Sequence, residues 1–180
     1  MNRILNLVSM VLSFIIYCKF NKFSWGSYIK KPIKVVGGKY ISIHKNVRIQ
    51  ANSRIEALDT HKKPEIVFKE GVNIEQGFHC ISSNSVVISK NVSIAPYCVV
   101  VDTSHPLENL GCDDFQGIIS ENDDTVFIGE GCFIGAHTII EPGVSLGKNV
   151  IVGANSCVRR GSYPSHVLIA GTPAKIIKNL

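Results

Sequence analysis

Much is missing from this 180-residue chain, and each absence narrows what it can be. Its six cysteines include no CxxC pair, and its six histidines include no His-x4-His pair, so the close spacings of common zinc sites are lacking. No apolar run reaches the roughly twenty residues that span a bilayer. The longest, Ile4 to Cys18, is interrupted by Asn6, Ser9 and Ser13. The residues at its end, Tyr17-Cys18-Lys19-Phe20, make a poor signal-peptide cleavage site. No compositional bias points to disorder. The net charge of +5 is modest, and the basic residues are not interleaved with aromatics along one face, so nucleic acid is not implied. The length suits one main domain with a sizeable core.

What the chain has is a period of six. From Ile128 to Val158 it reads IGEGCF, IGAHTI, IEPGVS, LGKNVI, VGANSC, with an aliphatic residue opening every unit. Neither an amphipathic helix nor a long strand repeats at six. A parallel β-helix does: each hexapeptide is one short strand plus a turn, and its large aliphatic residue points inward. The smaller fifth residues, Cys132, Thr138, Val144, Val150 and Ser156, can share that interior. Gly or Asn near the corners supplies the backbone freedom of repeated sharp turns.

The phase recurs upstream at Ile43, Ile49, Ile55, at Phe68, Ile74, Cys80, and at Ile88, Ile94, Val100. Interruptions fall at 56–67, 81–87 and, longest, 101–127, and insertions at the corners of such a prism are where function is expected. The division predicted is an apolar helical segment over 1–32, a β-helix over 33–167 with its long loop at 101–127, and a tail over 168–180. Cys80, Cys98 and Cys132 sit at interior positions and read as small core residues, which fits free thiols in a reducing compartment.

Two readings stay open for the N-terminal segment. It packs on the β-helix or a neighbouring subunit, or it lies in a membrane interface with Lys19, Lys22, Lys30, Lys31 and Lys34 near anionic head groups. A second basic cluster, Arg159, Arg160, Lys175 and Lys178, brackets the segment LIAGTPAK and invites a polyanionic ligand.

His105 is the outstanding candidate for chemistry. It lies in the long loop before Pro106, with Asp102 three residues upstream and Glu108 three downstream. Transfer of an acyl group to a hydroxyl needs a base of near-neutral pKa, and histidine meets that need. Asp102 is the first choice for holding its tautomer, a backbone carbonyl the second.

Taken together, the hexapeptide run, the loop motif DTSHPLE and the closing GANSCVRR…VLIAGTPAKII resemble the left-handed parallel β-helix acyltransferases, from about Ile43 to the C-terminus. These include galactoside, maltose and xenobiotic acetyltransferases and the O-acetyltransferases of bacterial surface polysaccharides. The resemblance implies an all-β left-handed solenoid, acetyl-CoA as donor without a metal, and a homotrimer with active sites between subunits. It also implies a loop histidine, here His105, as general base. Gly135, Ala136, Gly153 and Ala154 match the groove for the pantetheine arm, with the Gly135 or Ala136 N–H considered for the oxyanion. Arg159, Arg160, Lys175 and Lys178 match the cations at the CoA phosphates, and Gly171 and Thr172 match the turn over the adenine.

There are departures from the family pattern. Phe133 stands where many members have tryptophan beside the channel. The stretch around His79 offers no match for the acceptor-binding asparagine of the sugar acetyltransferases, although His79 itself could face the cleft. A set of His79, His105 and His137 resembling the zinc site of gamma-class carbonic anhydrases lacks the required spacing. The reading is an acetyl-CoA-dependent O-acetyltransferase acting on a cell-surface saccharide or its precursor, in the cytoplasm or at the inner face of the membrane. The alternatives are a small-molecule acetyltransferase (serine, an antibiotic or a free sugar) and a non-catalytic β-helix scaffold.

Overall fold

The computed structural model describes residues 2–58, 63–105, 111 and 124–180. Its short strands stack into three parallel sheets that form the faces of a prism. The first face stacks Lys22–Phe23, Ile41–Ile43, Glu65–Phe68, Ser85–Ile88, Val126–Ile128, Val144–Leu146 and Gly161–Tyr163. The second stacks Tyr28–Ile29, Arg48–Ile49, Asn73–Ile74, Ser93–Ile94, Phe133–Ile134, Ile151–Val152 and Val167–Gly171. The third stacks Lys34–Val36, Arg54–Ala57, His79–Ser82, Val99–Val101, Ile139–Ile140 and Cys157–Val158. The chain passes from first to second to third face in each coil. Its three corners are called here the first, second and third edges.

Hexapeptide phase becomes burial. Ile128, Ile134, Ile140, Leu146, Val152 and Val158 are all fully buried, and Ile128 and Leu146 pair in register on the first face. The small fifth residues Cys132, Thr138, Val144, Val150 and Ser156 share the interior as expected. Each buried Ile or Val contributes about 1.5–3 kcal/mol from removal of its side chain from water. The cysteines at interior positions, Cys80, Cys98 and Cys132, are buried free thiols.

The first edge shows why Gly and Asn recur at the corners. Gly71 and Asn91 both have left-handed backbone, and a Cβ on Gly71 would lie 2.4 Å from the Asn91 Oδ1. The corner therefore needs a residue with no side chain below and a short polar one above.

The prism starts earlier than the sequence division placed it. Lys22–Phe23 and Tyr28–Ile29 lie inside the segment assigned to the N-terminal helix, yet they form the first coil. Their inward residues Phe23, Ile29 and Val35 are spaced by six and pair with Ile43, Ile49 and Ile55. The helix α1, Asn2–Ile16, closes this end. The Ser13 hydroxyl accepts from Ile29 N–H at 3.0 Å and donates to Ile29 C=O at 3.2 Å, taking the place of a coil below. Without it those backbone groups would be an open sheet edge. At the far end, Ala174–Asn179 folds back antiparallel on Val167–Gly171.

Candidate active site

All three upstream interruptions fall on the third edge, between third and first faces. The longest leaves the prism after Val99–Val101 and rejoins it at Val126–Ile128. His105 is exposed near the root of this insertion; Pro106 and Glu108 lie outside the described residues.

Asp102 fastens the root. Its buried carboxylate accepts from the Ser82 hydroxyl (2.6 Å), the Ser83 N–H (2.8 Å) and the Asn84 N–H (3.1 Å), all in the turn one coil below. Burial raises its pKa above the usual aspartate value, and the hydrogen bonds from Ser82, Ser83 and Asn84 oppose that rise. The carboxylate expected to orient His105 is thus engaged by a backbone turn. It thereby anchors the chain three positions before His105.

Above Asp102, Ser104, Asp124, Glu141, Pro142, Arg159 and Arg160 line an open cleft of about 430 Å³. Arg160 is hydrogen-bonded to the buried Asp124 carboxylate. Arg159 reaches Glu141 at 3.4 Å, and the Cys157 thiol donates to the same carboxylate at 3.1 Å. Burial, followed by Glu141, pushes the Cys157 thiol above the usual cysteine pKa.

The remaining residues expected at the donor site gather elsewhere. Ala95, Gly135, Gly153 and Ala170 follow residues paired in the second face, so they stack along the second edge. A Cβ on Gly135 would meet the Ala154 nitrogen at 2.5 Å, and one on Gly153 would meet the Ala170 Cβ at 2.9 Å. Ala136, Ala154 and Gly171 form the adjoining column, and Lys175 pairs with Ala170 at its top. Thr172 donates to the Asn155 carbonyl at 3.2 Å, and the Gly171 N–H donates to Ser156 Oγ at 3.0 Å. This strip of backbone and methyl groups fits a long, thin acyl carrier. Lys178 pairs with Leu168, farther along the same hairpin.

One chain therefore does not assemble the whole expected set. Arg159 and Arg160 lie on the third edge beside the insertion, with the third face between them and the second-edge strip. The Gly135 N–H donates to the Val152 carbonyl at 2.8 Å, so it belongs to the sheet ladder and cannot serve an oxyanion; that role would fall to Ala136. Phe133 projects from the second face, about half exposed, and His79 is half-buried on the third face beside Val99. His79, His105 and His137 occupy a face and two different edges, and no metal-holding cluster occurs among the described residues.

Sequence reading missed Ser104, Asp124, Glu141 and Tyr97. Glu141 and Arg159 are eighteen residues apart, one uninterrupted coil, and that interval was the available signal. Tyr97 stacks on His137 at 5.2 Å on the second edge and covers Gly77 below it.

Residues 125–160 match the family model of the bacterial transferase hexapeptide, six repeats. The Escherichia coli protein WbbJ, named for O-acetyl transfer in lipopolysaccharide biosynthesis, is 33% identical over 128 residues, covering 67% of this chain and 64% of its own. The chain carries the hexapeptide repeat of the bacterial transferases. The galactoside O-acetyltransferase of Escherichia coli is 30% identical over 126 residues, covering 66% of this chain and 60% of its own. The chain thus spans somewhat under two thirds of the length of either relative. Among solved structures, the hexapeptide-repeat acetyltransferase VCA0836 of Vibrio cholerae, complexed with acetyl-CoA, superposes with a TM-score of 0.64 at 22% identity. That match covers 94% of this chain and 77% of the other. The N-acyltransferase AntD of Bacillus cereus gives 0.75 at 20% identity over 92% and 87%. These likenesses establish the fold, a left-handed parallel β-helix.

Proposed function

We propose that the chain is an acetyl-CoA-dependent O-acetyltransferase acting on a hydroxyl of a bacterial cell-surface saccharide or its precursor, with His105 as general base. The observation that carries this is the third edge, where a histidine-bearing insertion leaves the prism beside a charged cleft, while the second edge keeps a strip with no side chain larger than a methyl group. Support for the reaction class comes from the two Escherichia coli relatives, both named for O-acetyl transfer.

Acetyl-CoA supplies the activated acyl carbon. His105 Nε2 removes the acceptor hydroxyl proton as that oxygen attacks the thioester carbonyl. The carbon–sulfur bond then breaks, and the imidazolium returns the proton to the departing sulfur. Asp102 acts as a positioning residue that clamps the root of the insertion. Lys175 meets the CoA phosphates, and Gly153 and Ala154 pass the pantetheine arm.

Base and donor strip lie on different edges of one chain, so we infer a homotrimer in which the third edge of one subunit faces the second edge of the next. That arrangement also returns Arg159 and Arg160 to the donor. A free sugar is the second acceptor reading, favoured by the galactoside relative.

The test is acetyl transfer, followed by thiol release, to a panel of surface-glycan precursors and free sugars. Turnover on the former at least tenfold above the latter supports the reading, and the reverse selects the free-sugar alternative. Release from neither would leave a scaffold. Co-expression of His105→Ala with Gly153→Trp then tests the shared site. Mixed trimers recover activity only if one subunit's base serves another's donor strip.

A further inference from the structure

Helix α1 is built the wrong way round for a helix that merely packs on a core. Asn6, Ser9 and Ser13 lie on the side turned to the first coil, where Ser13 is buried on the Ile29 backbone. The opposite side carries Leu7, Val8, Val11, Leu12, Ile15 and Ile16, all 40–64% exposed. Trp25, the chain's sole tryptophan, extends this apolar surface from the first edge; it is 58% exposed and packs edge-on against Phe14 at 5.6 Å.

Charge is segregated to the same end. Residues 1–55 contain ten lysines and arginines and no aspartate or glutamate, whereas the remaining 125 residues contain nine against fourteen. Lys19, Lys22 and Lys31 are exposed around α1 and the first coil, and Lys30 lies over the Tyr28 ring at 4.9 Å. An apolar face rimmed by cations and ending a rod suits a surface that is apolar within and anionic at its rim. A second copy of the same end would set lysine against lysine, which opposes self-association through it.

We propose that this end of the prism docks on an anionic bilayer, with α1 lying in the interface plane. Its apolar face enters the acyl boundary, Trp25 sits at head-group depth, and the lysines of the first coil meet anionic head groups. No helix among the described residues is long and apolar enough to cross a membrane, so the attachment is in-plane. The proposal holds for a single chain. In the trimer proposed above, three parallel rods would present three such ends to one surface, and their weak attachments would multiply.

The experiment is flotation of the full chain with phosphatidylcholine vesicles, with and without phosphatidylglycerol, while Trp25 emission is recorded. Co-flotation and a blue shift are expected only with the anionic vesicles, and both should weaken in salt. Replacing Lys19, Lys22 and Lys31 together by glutamine should lower vesicle affinity about 100-fold, from about 1 kcal/mol per cation near the surface. Leu12→Glu with Ile16→Glu should abolish flotation while leaving the thermal midpoint and oligomeric state of the chain unchanged. Equal behaviour with neutral and anionic vesicles, or no flotation, overturns the proposal. A change of oligomeric state in Leu12→Glu with Ile16→Glu also overturns it, assigning the face to a second copy.

Discussion

The second and third edges are built from the same hexapeptide turns and have become opposites. Along the second, the chain turns without insertion and stacks Gly135 on Gly153 on Ala170, so backbone lies almost bare. Along the third, insertions interrupt the turns, and the coils are tied by carboxylates: Asp102 to the Ser82–Asn84 turn, Glu141 to Arg159, and Asp124 to Arg160. A repeat kept strict makes a smooth rail for a thin ligand, whereas a repeat broken at one corner makes room for side chains that do chemistry. Both depend on the same buried aliphatic columns, which leave the corners free to diverge.

The largest effect should come from the broken edge. His105→Ala removes an exposed side chain, so thermal midpoint and CoA affinity should stay at the parent values. Turnover should fall by about 10²–10⁴-fold, the usual size of a general-base contribution. Single-turnover acetyl transfer against pH is the measurement, and an unchanged rate would remove the third edge from the chemistry altogether.

The smooth edge should fail differently. Gly135→Ala drives its Cβ into the backbone of residues 152–154, whereas Gly153→Ala meets a methyl group at 2.9 Å. Overpacking against unyielding backbone costs about 1–3 kcal/mol. The first substitution should therefore lower the urea midpoint clearly, and the second should lower it less while weakening CoA binding. If both variants keep parental CoA affinity, the second edge is not the donor rail.

How far this division was legible in the sequence follows from periodicity. Ile128 to Val158 announced their burial because each aliphatic residue meets the same surroundings one hexapeptide later. The first coil was overlooked although Phe23, Ile29 and Val35 keep the phase, because the lysines around them drew the segment into the N-terminal helix. Asp102 stood out in the sequence beside His105, but its hydrogen-bond donors did not. Its donors sit one coil below, and their position depends on how few residues join the third face to the first there. The Asp124–Arg160 pair bridges the end of the long insertion, and no fixed spacing in the chain announces it.

The two arginines of the third edge should separate by burial. Asp124 is 3% exposed, so Arg160→Gln leaves a buried carboxylate with a weaker partner. The Arg160 side chain is 62% exposed, which discounts the loss to about 1–2 kcal/mol. Arg159→Gln breaks a pair between an exposed arginine and a half-buried glutamate, and should cost less than about 0.5 kcal/mol. Equal urea midpoints for the two variants would mean that the Asp124 contact does not tie the insertion to the prism.

The smallest effect distinguishes a carboxylate of the third face from one at the third edge by the sign of their response to acid. Glu56, within the third-face strand Arg54–Ala57, is held below the usual glutamate pKa first by the hydrogen bond from Arg54, with Lys34 adding to it and burial opposing. Its contribution to stability is present above the unfolded pKa and is lost as pH falls through the lower folded value. Asp102 is raised instead, by burial, so its contribution is complete below the unfolded pKa and is lost as pH rises through the folded value. Urea midpoints of the parent, Glu56→Gln and Asp102→Asn at a series of acid pH values should separate them. The advantage of the parent over Glu56→Gln should shrink on acidification, and its advantage over Asp102→Asn should grow. Parallel trends would mean that burial does not govern Asp102, and its three hydrogen bonds would then have to stabilise the charge more than desolvation opposes it.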